Sequence, residues 1–316
     1  MRLSCYTNSM IFQDIGNSDD GQAGSILDDK SVANYFVTES QFNFLTSTLR
    51  KLTGIHLEYG SKNLSLVSSR MNKLVIRRKV PSLESCIKSL RKGDARITRE
   101  FVSIMTTNTT AFFREREHFD WLSTNLSALL QEKKSSGDRD FRIWCSAAST
   151  GQEVYTILII LLEAGLDLAY FNLHFLATDI DLAVLNTASK GIYAESNFET
   201  VPALLREKYF SPSNSHKLNG ERTFKLKREY RNLVHFAPFN LMNSPFPFQH
   251  SFDLIFCRNV LIYFDFETSE NIIKQSLSVL KREGLLFLGH SESGFVKQIP
   301  MMEQVVHSLY RKSKIS

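Results

Sequence analysis

Six small residues, Ser146-Ala147-Ala148-Ser149-Thr150-Gly151, separate the apolar run Ile143-Trp144-Cys145 from a stretch of helical character that opens at Glu153. A small-residue turn between a first parallel strand and its helix lets backbone approach a ligand closely. The helix N-terminus behind it offers unpaired N–H groups. With a single Gly the turn does not match the dinucleotide pattern G-x-G-x-x-G, so a nicotinamide cofactor is disfavoured. A nucleoside ligand without a pyrophosphate needs less of that loop, and S-adenosylmethionine is such a ligand. Taken alone, the turn can equally be a device for packing a helix on a sheet. A second apolar run, 173–178, ends in Asp179-Ile180-Asp181. A carboxylate at the end of the second strand is placed to accept both ribose hydroxyls. Asp179 is the better candidate, and Asp181 suits a helix cap.

These residues need a scaffold of alternating strands and helices, and the sequence from 141 onward supplies one. Strands are expected at 142–145, 173–179, 252–257 and 285–289, with helices at 153–164 and 182–189. That alternation predicts an α/β domain with a mainly parallel sheet covered on both faces. Residues 207–237 break the rhythm, and 223–227 with 233–236 predict a small antiparallel β insertion. Residues 305–311 alternate as one terminal antiparallel strand. Before this domain the pattern is helical: stripes begin at Phe42, Leu64 and Leu83, with Pro81 as a stop and Ser82 as a cap. A further helix is expected from about Glu115, running into the polar stretch 132–138, which predicts a domain linker. The expected organisation is a flexible acidic tail at 1–35, an all-α N-terminal domain with linker at 36–136, and a Rossmann-like domain at 137–316.

The chain of 316 residues is 43% hydrophobic with 14 Gly and 7 Pro, which excludes collagen-like and wholly disordered classes. No apolar run approaches the 18–20 residues of a membrane span, and no secretory leader is visible. Four cysteines without paired spacing point to reduced thiols in a cytosolic protein, with no zinc site. Charge is uneven. Residues 1–35 carry −3, residues 36–100 carry thirteen basic and five acidic groups (+8), and the rest balance. The basic segment predicts an acidic partner. Arg70, Lys73 and Arg77 share one helix face by their spacing.

Four runs, in order, carry a resemblance. They are Thr106-Thr107-Asn108-Thr109-Thr110-Ala111-Phe112-Phe113-Arg114-Glu115, Ser149-Thr150-Gly151-Gln152-Glu153, Phe256-Cys257-Arg258-Asn259-Val260-Leu261-Ile262-Tyr263-Phe264-Asp265 and Leu288-Gly289-His290-Ser291-Glu292-Ser293. Over about residues 36–312 the chain resembles the CheR-type chemotaxis receptor methyltransferases. The resemblance implies an S-adenosylmethionine-dependent methyltransferase domain that converts receptor glutamates to methyl esters and releases S-adenosylhomocysteine. It implies cofactor contacts at Asn108, Thr110 and Arg114, at Glu153 and Asp179, at Asn240 and Leu241, and at Arg258 and Asn259. Tyr263 would lie near the transferred methyl group. Gln152 and Val154 stand where many relatives have Glu and Pro. Singly, each residue has a plainer reading: Arg114 can pair with Glu117 or Asp120, Glu153 can serve its own helix N-terminus, and Tyr263 can be core. His290 is taken as a loop residue.

The expectation is therefore a cytoplasmic, monomeric enzyme acting on the cytoplasmic domains of methyl-accepting receptors. No metal, nucleic acid or membrane insertion is expected, and Arg70, Lys73 and Arg77 would dock the substrate. One rival keeps the methyl donor and places RNA or DNA on the basic domain, but Asn243-Ser244-Pro245-Phe246 is a poor match to the motif of base-amino methyltransferases. Another rival is a non-enzymatic scaffold that senses S-adenosylmethionine. The loop 211–221 looks longer and more polar than in relatives that grip a receptor C-terminal peptide on the β insertion. Docking through the basic helix without such a tether is expected.

Overall fold

The structure, a computed structural model, describes residues 35–313 except 219, 297 and 298, with backbone alone at 214–217. The acidic tail expected at 1–35 lies outside these residues apart from Tyr35. Contacts divide the chain into two units, residues 35–107 without Thr53–Ile55, and residues 108–313 together with Thr53–Ile55.

The first unit is helical: α1 (Glu39–Thr53), α2 (Ser61–Arg78), α3 (Leu83–Arg91) and α4 (Ala95–Met105). Each helix starts or stops where the sequence satisfies the backbone locally. Thr38 and Gln41 form a reciprocal capping box at α1. Ser82 Oγ accepts from Ser85 N at α3, and Asp94 Oδ1 accepts from Arg96 N and Ile97 N at α4. Lys79, in the left-handed region at φ 50°, closes α2 ahead of Pro81. Apolar residues three and four apart then make one buried stripe per helix, as with Val67, Met71 and Leu74 on α2 and Ile97, Phe101 and Met105 on α4.

The second unit runs α5 (Glu117–Ser135), β1 (Asp140–Cys145), α6 (Gln152–Glu163), β2 (Asn172–Asp179), α7 (Leu182–Lys190), β3 (Ile192–Ala194), α8 (Ala203–Tyr209), β4 (Phe210–Leu218), β5 (Glu221–Leu226), α9 (Arg228–Arg231), β6 (Val234–Pro238), β7 (Phe252–Cys257), α10 (Phe266–Ser278), β8 (Leu280–Leu288), β9 (Met302–Val306) and β10 (Leu309–Lys312). Its main sheet has the order β6-β2-β1-β7-β8-β10-β9. The first five strands are parallel, and β10 runs antiparallel to both of its neighbours, β8 and β9. Chain order reverses beside β1: β2 and β6 lie on one side, β7 and β8 on the other. Ligands of open α/β sheets bind beyond the strand C-termini at such a switch point. The inner strands are apolar on both faces, with Ile143, Trp144, Ile255, Phe256, Leu286 and Phe287 all buried. Cys86, Cys145 and Cys257 are free and buried. Among the described residues no helix is long and apolar enough to cross a membrane.

Four sequence expectations change. The polar stretch 132–138 is no domain linker, because α5 belongs to the second unit. Lys133 and Lys281 both bond Asp138 and Asp253, tying the end of α5 to β7 and β8. The insertion is β3-β5-β4, within 192–226, and 233–236 is not part of it. β6 pairs in parallel with β2, from Phe175↔Val234 to Asp179↔Pro238. The terminal strand is a hairpin, β9 and β10, broken at Ser308, whose φ is +60°. The segment 211–218, taken as loop, is most of β4, an edge strand paired to β5 alone. A continuous polar run hid that strand, and the reading of 211–221 as a long polar loop is corrected to a strand with a short turn.

Candidate active site

The turn after β1 is fixed by backbone geometry. Ser149 and Gly151 both have positive φ, at 48° and 93°. A Cβ at Gly151 would lie 2.8 Å from Tyr193 Oη and 2.9 Å from Ala188 Cβ, so only Gly fits. Asp179, at the tip of β2, reads this turn directly. Its Oδ2 accepts from Ser149 N at 2.8 Å and its Oδ1 from Asp181 N at 3.0 Å. Each oxygen keeps a further lone pair for a hydroxyl donor. Burial lifts the Asp179 carboxyl to about 6, against the pull of the Asp181 and Ser149 N–H groups. Asp181 caps α7 through Ala183 N and also accepts from Asn108 Nδ2 at 3.0 Å. Asn108 C=O in turn accepts from Ser149 Oγ. The segment that opens at Asn108 is thereby sewn to both loops of the switch point.

That segment is held at its far end by aromatic packing. Phe112 is buried between Tyr193, Phe198 and Phe210, with centroids 5.1–5.7 Å away. Thr200 Oγ1 donates to its carbonyl. Phe113 and Glu115 adopt φ of 55°, and α5 begins only at Glu117. Arg114 pairs with neither Glu117 nor Asp120; its guanidinium donates to Thr109 C=O at 2.9 Å and closes the loop on itself. Thr110 is half-buried within it.

Glu153 and Arg258 form the charged centre. The Arg258 guanidinium has no exposed surface. Nη1 donates to Glu153 Oε2 at 2.6 Å, and Nη2 donates to Arg114 C=O at 2.7 Å and Glu115 Oε2 at 3.0 Å. It also stands 5.1 Å from the Phe119 ring centroid. Burial raises the Glu153 carboxyl and Arg258 opposes that rise. Asn259, at φ 56°, donates from Nδ2 to Glu115 Oε1 at 2.8 Å. Tyr263 ends the short 3-10 turn that follows. Asn240 and Leu241 follow β6, next to Asp179, whose carbonyl accepts from Phe239 N. Asn240 Oδ1 accepts from Met242 N, and Leu241 is buried.

Glu115 was quoted in the sequence motif without a role. It joins Arg258, Asn259 and the N–H of His290. Burial works to raise its carboxyl, but these partners outweigh burial and hold it below the usual range. Its use was illegible because all its partners lie more than 140 positions away. His118 is fully buried, its Nε2 against His307 C=O at 3.0 Å, and burial followed by Arg258 lowers its pKa to about 4. Glu115, His118 and His290 each bring one potential ligand atom within 4.8 Å of the others. Both Glu115 oxygens already accept hydrogen bonds, however, and Arg258 supplies the cation at that place.

Arg70, Lys73 and Arg77 lie on α2 in the helical unit. Arg70 is bonded to Met105 C=O and to Thr107 Oγ1, so its guanidinium secures the end of α4. Arg77 stands 3.8 Å from Glu100, which also pairs with Arg78. Lys73 is exposed.

A buried carboxylate at the end of β2, a glycine-dependent turn beyond β1 and a third segment locked over both make an edge whose chemistry suits a nucleoside. Residues 108–309 match the family described as CheR methyltransferase, SAM binding domain. The chain belongs to this family. It is 34% identical over 283 residues to a chemotaxis protein methyltransferase of Borreliella burgdorferi, covering 89% of this chain and 96% of that one. It is 34% identical over 280 residues to chemotaxis protein methyltransferase 2 of Pseudomonas aeruginosa, covering 87% and 94%. A Salmonella typhimurium chemotaxis protein methyltransferase is 38% identical over 211 residues, covering 66% and 69%. As a CheR methyltransferase the chain is an S-adenosylmethionine-dependent enzyme, and its donor set fits that ligand. Asp179 offers free acceptor capacity for the ribose, and the turn at Gly151 presents bare backbone.

Two measurements check this geometry. Arg258→Met leaves Glu153 buried without its cation and is expected to lower unfolding free energy by about 3–5 kcal/mol in urea titration; adding Glu153→Gln recovers part of the loss. A ribose bound here would donate its hydroxyls to the ionised form of Asp179. The affinity for S-adenosylhomocysteine is therefore expected to be flat above pH 7 and to weaken as pH falls through about 6, by about tenfold per unit below that. Asp179→Asn should flatten the profile in calorimetry.

Proposed function

We propose that this CheR methyltransferase transfers the methyl group of S-adenosylmethionine to glutamate side chains of chemotaxis receptors. The supporting observation is that Glu115, Glu153 and Arg258, the charged centre of this edge, are bound to one another and are not set up as acid–base machinery. A glutamate acceptor needs none. With a reference pKa near 4.3 it is a nucleophilic anion at neutral pH. S-Adenosylmethionine supplies an electrophilic methyl group on a sulfonium cation. Asp179 orients the ribose, the Asn108–Glu115 segment and the Asn259–Tyr263 turn border the reacting end, and Tyr263 guides the acceptor. The protein contributes alignment and exclusion of water.

Charge brings the substrate to the enzyme. The +8 segment at 36–100 would attract acidic receptor helices. Arg70 is committed to α4, so docking rests on Lys73 and Arg77 with their basic neighbours. The whole reading places the enzyme in the cytoplasm, working as a monomer on the cytoplasmic receptor domains.

Methyl-labelled S-adenosylmethionine incubated with receptor signalling domains, or with RNA or DNA, tests the acceptor. Label released as methanol by mild base from the receptor is the expected result; label retained on nucleic acid would replace the proposal. For docking, Lys73→Glu with Arg77→Glu is expected to slow receptor methylation at least several-fold at low salt and to leave S-adenosylhomocysteine affinity unchanged. Salt above 0.15 M should erase the difference, since the screening length there is about 8 Å. Equal rates at low salt would remove this face from the mechanism.

A further inference from the structure

The run Gly289-His290-Ser291-Glu292 has no part in the mechanism above, yet it holds a carboxylate with no exposed surface. Glu292 is 0% exposed and makes no ion pair among the described residues. Its Oε1 accepts from Val260 N at 2.8 Å and Leu261 N at 2.7 Å, and its Oε2 from Asn259 N at 2.9 Å and Gly289 N at 2.6 Å. With Ile262 N, which reaches Oε1 at 3.4 Å, four consecutive N–H groups converge because Asn259 turns left-handed at φ 56°, one residue beyond the Arg258 that follows β7. Such a concavity of N–H groups binds anions, and this chain fills it with its own carboxylate. Gly289 makes room: a Cβ there would sit 2.7 Å from Glu292 Oε2 and 2.6 Å from Asn259 Nδ2. Burial raises the Glu292 carboxyl, and the N–H groups of Gly289, Asn259, Leu261 and Ile262 oppose the rise.

We propose that Glu292 is a positioning residue for methyl transfer, holding the Asn259–Tyr263 turn so that Tyr263 meets the acceptor carboxylate in register. This rests on the role given to Tyr263 above. Glu292 itself touches the backbone of the turn and not the reacting atoms. Its Oε1 holds three N–H groups and its Oε2 two, so an amide in its place must turn an NH2 toward one of those sets. The 3-10 turn that ends at Tyr263 then loses part of its anchorage.

The test is a double-mutant cycle of Glu292→Gln and Tyr263→Phe, with methyl transfer to receptor domains and S-adenosylhomocysteine affinity both measured. Glu292→Gln is expected to lower kcat about tenfold or more, since small misplacements are costly, with cofactor affinity within about threefold. In the Tyr263→Phe background the same change should matter less than about threefold. A merely structural brace would cost the same factor in both backgrounds, and that additivity would overturn the proposal. A silent Tyr263→Phe would instead overturn the role of Tyr263, and the two failures are distinct. Glu292→Asp keeps the charge one methylene short and is run in the same cycle, so that a poorly folding amide variant does not decide the result.

Discussion

A guanidinium without exposed surface has to be neutralised where it sits, and the rest of the site is arranged around that demand from Arg258. The residue stands immediately after β7. Its partners come from the start of α6 (Glu153), from the end of the Asn108–Glu115 segment (Glu115), and from the main chain of that segment (Arg114 C=O). Removing a partner from a buried ion pair is far more costly than removing one at a surface. The three segments are therefore coupled: none can move away without stranding charge. Phe119 closes the fourth side. Glu115 extends the lock to Asn259 and to the backbone of His290, so the ends of β7 and β8 are joined through one side chain from before α5.

Against that fixed centre, Asp179 is differently placed. Its oxygens accept from two backbone N–H groups and face no cation among its hydrogen-bond partners. Burial therefore prevails and lifts its carboxyl to about 6. A carboxylate so placed gains from further donors, which is what a ribose diol provides. The adjacent Asp181 has the opposite assignment. Its lone pairs go to the α7 cap and to Asn108, so it builds the wall of the site. Two carboxylates two residues apart thus differ in what the fold has already aimed at them: two backbone N–H groups at Asp179, the α7 cap and Asn108 at Asp181.

Much of this was legible before any coordinates. Hydrophobic period marked the parallel strands at 142–145, 173–179 and 252–257 and the helices between them, because buried strands and amphipathic helices leave their period in local sequence. Caps at Ser82 and Asp181 were equally local. What failed was non-local. β4 carries a polar run, and only its pairing with β5 makes it a strand. β6 looked like a partner for β5 because adjacent strands commonly pair, yet it crosses to β2. The polar stretch 132–138 resembled a linker because Lys133 and Asp138 are charged, while their partners Asp253 and Lys281 lie over a hundred residues away. For the same reason Arg70 looked like a free surface cation until the end of α4 was in place to receive it.

The chemistry explains why so much of the site is scaffold. When an anion meets a cation and both become neutral, the protein has no proton to move and no developing oxyanion to stabilise. A free base near the sulfonium would be a competing nucleophile, and a free acid would protonate the acceptor. The safe arrangement is one in which each buried ionisable group is already bound to the protein, as Glu115, Glu153 and Glu292 are. His118 follows the same rule: burial and the neighbouring Arg258 keep its ring neutral. Glu115, Glu153 and Glu292 are thereby spoken for, and none of them competes with an acceptor for the methyl group.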